Sequence, residues 1–128
     1  MKYKKIGIVA SKKPGAYEAK IELIKKFGFL DFEYINNQEV DLLVALGGDG
    51  FLLHSLHKYQ FLEIPIYGIN FGTIGFLMNS NNGSLLKSIE RSVETILYPL
   101  QMRAIDIDNI CHSHIAINDV YLWRQNNQ

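Results

Sequence analysis

The part of the sequence most suited to chemistry is a glycine loop that contains an aspartate. Residues 42–46 are continuously apolar, as in strands buried on both faces, and Gly-Gly-Asp-Gly follows them directly at 47–50. Because the carboxyl ends of strands line the ligand crevice of an open parallel sheet, we expect this loop to border a binding site. Its glycines let backbone approach a ligand, and a following helix offers free N–H groups to an anion such as phosphate.

Asp49 sets this loop apart from common phosphate-binding loops, which carry a lysine. A carboxylate beside phosphates repels them unless it has another task. It can orient or deprotonate a hydroxyl that attacks a phosphoryl group, or it can help to hold a magnesium ion. A purely structural alternative is that Asp49 caps the helix that follows. The residues by themselves leave both possibilities open.

A second glycine-bearing loop, from Asn70 to Gly75, follows another apolar stretch. It differs from the dinucleotide-binding fingerprint, because Asn70 holds the first glycine position and no helix begins at once. Taken alone, it is interpreted as a turn that Phe76 and Leu77 anchor to the core.

The elements that must position these loops alternate between strand and helix. Strands are predicted over residues 6–10, 32–35, 42–46 and 64–69, and helices over 16–27, about 50–59 and from 85 onward. Gly28 is expected to end the first helix, and Ser84 to cap the last, whose apolar stripe includes Val93 and Ile96. This order predicts an α/β fold: an open, mostly parallel sheet with flanking helices.

Beyond Pro99 the pattern changes, because residues 100–107 and 115–123 both have strand character with no helix between them. We therefore expect an α/β nucleotide-binding domain over 1–99, which holds the Gly-Gly-Asp-Gly loop. Residues 100–128 are expected to be the first strands of an all-β domain that the chain does not complete.

A third stretch, His114 to Val120, contains the pair Asn118-Asp119. With the two loops it resembles the NAD kinase family, and the match looks most like proteobacterial members. The resemblance extends from Ile6 to Trp123, the amino-terminal half of such an enzyme. It implies phosphoryl transfer from ATP to the 2′-hydroxyl of the adenosine ribose of NAD, which gives NADP.

The resemblance also implies roles for individual residues. Asp49 corresponds to the catalytic aspartate, and Asn118 and Asp119 to the pair that holds the ribose hydroxyls. Phe76 and Leu53 correspond to contacts at the adenine pocket. The remaining expected nucleotide-binding residues shape the two loops: Gly47, Gly48, Gly50 and Asn70.

Three positions depart from the family pattern. Phe51 stands where many members have threonine, so a hydroxyl contact to phosphate is lost. Phe71 stands where many have a basic or polar residue, which puts a second anion contact in doubt. Asp119 replaces the commoner glutamate, which keeps the charge and shortens the reach.

The composition of the chain bears on which partners it can bind and in which cell compartment it is expected. Basic and acidic residues balance at 13 each, so nothing indicates nucleic-acid binding. No apolar run approaches the roughly 20 residues that span a bilayer, and Cys111 is the single cysteine. We expect a cytoplasmic protein with no membrane partner. The pairs His54/His57 and His112/His114 fall short of the three or four ligands that zinc needs, so no protein metal site is expected.

The resemblance implies ATP and Mg²⁺ as cofactors, NAD as substrate and a homo-oligomer when full length. The later family motifs are absent from the 128 residues, so the chain alone is expected to be inactive. One alternative is a lipid kinase of the diacylglycerol or sphingosine type, which shares Gly-Gly-Asp-Gly, although Asn118-Asp119 argues against it. The other is a non-catalytic nucleotide-binding fragment.

Overall fold

The computed structural model describes residues 1–34, 39–72, 76–120 and Leu122. The chain divides into two compact units, Met1–Glu94 and Thr95–Gln128. This division falls before the boundary at Pro99 that the sequence pattern predicts. Within the described residues, no helix has the length and apolar character needed to cross a membrane.

The first unit is built on a parallel sheet. Its strands are β1 (Ile6–Ala10), β2 (Leu30–Asp31), β3 (Leu42–Gly47) and β4 (Ile66–Asn70), and they lie in the order β2-β1-β3-β4. The helices are α1 (Ala16–Phe27), α2 (Asp49–Lys58) and α3 (Leu85–Arg91), with a 3₁₀ turn at Gln60–Leu62. The predicted α/β class is confirmed. Every residue of β3 is buried, as its continuous apolar sequence requires.

Helices cover both faces of the sheet, and the alternation of side chains along β3 separates two apolar clusters. Leu42, Val44 and Leu46 point to one face, where residues of α1 and Ile89 of α3 pack against them. Leu43 and Ala45 point to the other face, into a cluster with residues of α2 and of the segment that follows it. The centre of the sheet is therefore packed on both faces, and this packing supports the strand ends of β3 and β4.

Helix α1 begins and ends where its sequence indicates. Gly15 precedes it and Gly28 follows it, both with left-handed backbone (φ 85° and 71°) that glycine adopts without strain. The Gly28 N–H donates to the Ile24 carbonyl at 2.9 Å, which closes the last turn. The predicted stop at Gly28 is confirmed.

The strand predicted over 32–35 is wrong. β2 comprises only Leu30–Asp31, and the chain then turns through Phe32, Glu33 and Tyr34. The Asp31 carboxylate accepts the Glu33 N–H at 3.3 Å, an Asx-type bond that competes with the strand ladder. Phe32 is nevertheless buried, because its ring packs into the core. Ile35 lies outside the described residues.

The helix predicted from Leu85 through Ile96 is shorter than expected. α3 ends at Arg91, and Val93 beyond it is 87% exposed. Ser92 ends the helix, because its hydroxyl and its N–H both donate to the Ile89 carbonyl while its backbone is extended. Ser84 occupies the N-cap position, but its side chain makes no capping hydrogen bond, so that detail of the prediction is wrong.

The second unit contains an antiparallel hairpin of β5 (Leu100–Ile105) and β6 (Cys111–Ala116). Both strands are shorter than predicted, and β6 begins before the expected Ile115. Asp106 explains the shift, because its Oδ1 accepts the N–H groups of Asp108 and Ile110, each at 2.9 Å. That turn pairs Ile105 with Cys111 and so fixes the register. Trp123, at the predicted strand end, lies outside the described residues.

A buried ion cluster ties helix α1 to strand β2. The Lys20 ammonium, with a side chain 1% exposed, lies 3.1 Å from an Asp31 oxygen and 3.0 Å from a Glu33 oxygen. Burial alone lowers the pKa of Lys20, but hydrogen bonds and charge from Glu33 and Asp31 outweigh it and raise the pKa. Lys20 therefore remains charged inside the fold and holds the sheet edge in place.

Removing this ammonium should destabilise the first unit. We expect Lys20→Met to lower the free energy of unfolding by about 1–3 kcal/mol in urea, because Asp31 and Glu33 lose their partner. The control Lys25→Met, on an exposed position of the same helix, should change it by less than about 0.5 kcal/mol. Since the folded pKa of Lys20 is raised, the difference should persist at neutral pH and shrink above pH 10.5. Equal effects of the two variants would contradict this role.

Candidate functional site

The two glycine-bearing loops lie side by side at the carboxyl ends of neighbouring strands. β3 ends at Gly47 and β4 ends at Asn70, and these two residues are register partners. The Phe71 N–H donates to the Gly47 carbonyl at 2.8 Å, which extends the ladder into both loops. The sheet topology therefore brings together two segments that the sequence separates.

Asp49 joins the two loops. It is the first residue of α2, after Gly48 at the N-cap, and no side chain caps this helix. The two carboxylate oxygens instead accept N–H groups of the second loop, Phe76 to Oδ2 at 2.9 Å and Leu77 to Oδ1 at 3.2 Å. The helix-cap alternative is therefore wrong, because the carboxylate points across to the other loop.

The second loop returns to the sheet through Asn79. The Asn79 N–H and side-chain amide both donate to the Gly68 carbonyl, at 2.9 and 3.0 Å, and the Asn79 carbonyl accepts the Asn70 N–H at 2.9 Å. Asn70 shapes the start of the loop, where its Oδ1 accepts the Gly72 N–H at 2.9 Å. Residues 73–75 lie outside the described part of the chain.

The expectation that Phe76 and Leu77 anchor this loop to the core is wrong. Phe76 is 93% exposed and Leu77 is 46% exposed. Their backbone N–H groups, rather than their side chains, hold the loop through Asp49. The Phe76 ring is consequently available to a flat ligand. Leu53, the other residue assigned to the adenine pocket, is half-buried on α2, one helical turn after Asp49.

Two of the loop glycines have different local surroundings. A Cβ placed on Gly47 would lie 2.8–3.0 Å from the Phe51 side chain, so the close packing of that ring excludes a larger residue. A Cβ on Gly50 would meet no atom within 4 Å, so Gly50 borders open space.

The two phenylalanines that depart from the family pattern both turn inward: Phe51 packs against one face of the sheet and Phe71 against the other.

Lys13 is a site residue that sequence reasoning missed. A Cβ on Gly48 would lie 3.1 Å from the Lys13 Nζ, and one on Gly72 would lie 2.5 Å from it. The ammonium thus lies between the two loops, although Lys13 belongs to neither. Only its position in the loop that follows β1, whose carboxyl end borders that of β3, could have indicated that it lies near the site.

Asn118 and Asp119 belong to the second unit. They follow β6, which ends at Ala116, so their expected place on a strand is wrong. Both are exposed and available to a ligand. Nearby in the same unit, the His112 Nε2 lies 2.9 Å from the Asp106 Oδ2. The hydrogen bond from His112, aided by the backbone N–H groups, lowers the pKa of the Asp106 carboxyl.

Two other features do not form part of the site. A cavity of about 640 Å³, lined by residues that include Tyr3, Phe27 and Phe29, lies at the amino ends of β1 and β2. That is the end of the sheet opposite the glycine loops, and ligands of open parallel sheets bind at the carboxyl ends. Within the described ranges, no group of three or more His, Cys, Asp or Glu side chains converges as metal ligands would.

An open parallel sheet with two glycine loops at its strand ends defines an α/β domain suited to phosphorylated ligands. Comparison with known proteins supports this class. Residues 2–97 match the family model described as the ATP-NAD kinase N-terminal domain. NAD kinase of Rickettsia bellii is 42% identical over 84% of the chain and 41% of its own length. NAD kinase of Rickettsia prowazekii is 39% identical over 100% of the chain and 49% of its own length.

The chain belongs to the NAD kinase family, because the family model covers most of its length. It spans about half the length of the curated relatives that it matches. The matched range, residues 2–97, covers the first unit except Met1 and therefore contains both glycine loops.

The close packing between Gly68 and Met78 can be tested by measuring the free energy of unfolding of a substituted chain. A Cβ on Gly68 would collide with the Met78 sulfur, whereas one on Gly50 meets open space within helix α2. We expect Gly68→Ala to destabilise the chain by about 1 kcal/mol, because the flexible end of the Met78 side chain must move to make room beside the buried strand. Gly50→Ala should stabilise it by up to about 1 kcal/mol through helix propensity. Urea unfolding of both variants measures the contrast, and a shift of the same sign in both would contradict the packing.

Proposed function

We propose that this chain is the amino-terminal half of an enzyme that transfers the terminal phosphoryl group of ATP to the 2′-hydroxyl of the adenosine ribose of NAD. Family membership supports the reaction class, and the relatives named above are NAD kinases. The observation that carries the proposal is the position of Asp49. Its carboxylate is held between two glycine loops at the strand ends, where a phosphate chain and a hydroxyl can meet.

Asp49 acts in this proposal by orienting the attacking hydroxyl and accepting its proton. The Phe76 and Leu77 N–H groups fix the carboxylate, and each oxygen retains a second lone pair for a substrate hydroxyl. The free N–H groups at the start of α2 face the phosphates, since Gly48 leaves them uncapped. Catalysis then rests on positioning and charge neutralisation, which is what phosphoryl transfer requires of a protein.

The residues fit a magnesium ion that is carried by the nucleotide rather than held by a protein cage. Asp49 is the only carboxylate in the two loops, residues 47–50 and 70–79. Mg²⁺ characteristically binds one or two carboxylates together with substrate phosphates and water. When bound, the ion would neutralise phosphate charge beside Asp49.

The remaining substrate contacts follow the family assignments. Asn118 and Asp119 supply an amide and a carboxylate, which together can grip two vicinal ribose hydroxyls. Phe76 and Leu53 offer apolar surface to adenine, and Gly47, Gly48, Gly50 and Asn70 shape the loops around the phosphates. The proposal includes a cytoplasmic location, a homo-oligomer for the full-length protein and no nucleic-acid or membrane partner.

Replacement of Asp49 tests the chemistry. In the chain extended through any coding sequence that follows Gln128, Asp49→Asn should reduce NADP formation by on the order of 10³-fold, the usual contribution of a general base. The change is nearly isosteric, but an amide has a single acceptor oxygen, so one of the two hydrogen bonds to the second loop is lost. Asn79→Ala is the matched control, because it loosens the same loop and leaves the carboxylate in place.

We expect Asn79→Ala to lower turnover by no more than about 100-fold, the effect of misplacing a catalytic group. Asn79→Ala loses one neutral side-chain hydrogen bond, so it should cost about 0.5–1.5 kcal/mol of stability, less than Asp49→Asn, and urea unfolding measures how far each variant loosens the loop. If both variants lost the same turnover, Asp49 would be a structural link between loops. The same assay on residues 1–128 alone tests the expectation that this half is inactive.

Replacement of Asp119 tests the ribose contact. We expect Asp119→Ala to weaken NAD binding by about 1–3 kcal/mol, because ribose hydroxyls lose a charged acceptor, and ATP binding should change much less. Asp108→Ala, at an exposed position in the hairpin turn, is the control. Calorimetric titration with each nucleotide measures both. Equal losses for NAD and ATP would assign Asp119 a general structural role.

A further inference from the structure

The loop that carries Lys13 is tied to the strand that carries Gly-Gly-Asp-Gly. The Ser11 N–H donates to the Leu46 carbonyl of β3 at 2.8 Å. Within the loop, the Ser11 hydroxyl accepts the Lys13 N–H at 3.3 Å, and the Lys13 carbonyl accepts the Ala16 N–H at 3.2 Å. The backbone on either side of Lys13 is therefore held by hydrogen bonds.

The side chain of Lys13 brings its ammonium to the gap between the two glycine loops. The nearest positions are Gly48 and Gly72, where a Cβ would lie 3.1 and 2.5 Å from Nζ. Only residues without side chains allow the ammonium to lie there. Among the described residues, the ion pairs involve Lys20 and His112, so no carboxylate of the described chain neutralises Lys13.

The Lys13 ammonium supplies a positive charge that the two glycine loops themselves lack. Phosphate-binding loops usually carry a lysine, and Gly-Gly-Asp-Gly carries a carboxylate instead. Phe51 and Phe71 stand at the two positions where many relatives have a residue that can contact phosphate, and both side chains pack into the core instead. A compact ammonium with three donors suits phosphate oxygens, and it offsets the repulsion between Asp49 and a phosphate chain.

The geometry points to Lys13 as the residue that binds the phosphate chain of the phosphoryl donor. The inference rests on the proposed function for the identity of the donor. The ligand chemistry is a polyphosphate, and both ATP and the pyrophosphate of NAD contain it. We assign Lys13 to ATP, because the triphosphate carries the greater charge and must approach Asp49 for transfer to occur.

Titration of the 128-residue chain with ATP, inorganic triphosphate and NAD tests this assignment by calorimetry at fixed ionic strength. Lys13→Gln should weaken binding of ATP and triphosphate by about tenfold, the value of one charge-assisted contact. Binding of NAD should change by less than about twofold. Lys12→Gln, the adjacent exposed lysine, is the matched control and should leave all three affinities within about twofold.

A second variant tests the position of the ammonium without removing it. Gly72→Ala places a methyl group against Nζ and should push the flexible lysine tip aside, weakening triphosphate binding in the same direction. Circular dichroism confirms that each variant keeps its fold. Wild-type affinity of Gly72→Ala for triphosphate would overturn the placement of the ammonium between the loops.

The remaining outcomes also decide the question. Equal effects of Lys13→Gln and Lys12→Gln, or no triphosphate binding by the wild-type chain, would overturn the inference. A loss for NAD as large as that for ATP would overturn the assignment to the donor. Triphosphate binding through Lys13, with no NADP formed by the extended chain, would leave the phosphate contact intact and overturn the proposed function instead.

Discussion

The bond between the Asp49 carboxylate and the backbone of the second loop is the interaction on which the site depends. Phe76 and Leu77 lie 27 and 28 residues beyond Asp49, and their N–H groups both end on its oxygens. Hydrogen bonds to a charged acceptor contribute roughly 1.5–3 kcal/mol each, enough to hold the backbone at Phe76 and Leu77, whose side chains are exposed. The Asp49 carboxylate therefore links the two loops across the gap, beyond the point where the Phe71 to Gly47 bond ends the strand ladder.

That arrangement places a negative group where a phosphorylated ligand would bind, and the surrounding structure compensates. The N-terminus of α2 presents its N–H groups at Gly48, and the Lys13 ammonium lies between Gly48 and Gly72. Since the carboxylate is oriented by backbone rather than by a mobile side chain, it does not need to reorganise as a substrate arrives. The structural role of Asp49 is thus compatible with its proposed chemical role, because each oxygen can accept more than one hydrogen bond.

The ends of the elements were harder to predict than their centres, and short polar side chains explain the difference. Asp31 forms a local bond that stops β2, Ser92 stops α3, and Asp106 sets the turn that places β6. In each case a side-chain oxygen satisfies nearby backbone and ends the regular pattern. Apolar periodicity carries no information about such bonds, so the prediction misplaces β2 and β6 and extends α3 too far.

The sequence by itself determined the α/β class, the buried strand β3, the bounds of α1 and the family. Continuous apolar residues require burial on both faces, glycines at the ends of α1 accept left-handed backbone, and three motifs occur in order. Only the tertiary structure decided which partners Asp49 has and that Lys13 reaches the site. Both depend on side-by-side pairing of β1, β3 and β4, which joins residues far apart in the chain. The spacing of residues in a sequence indicates local structure such as helices and turns. The meeting of three strand ends depends on how the strands pair in the sheet, which the spacing does not show.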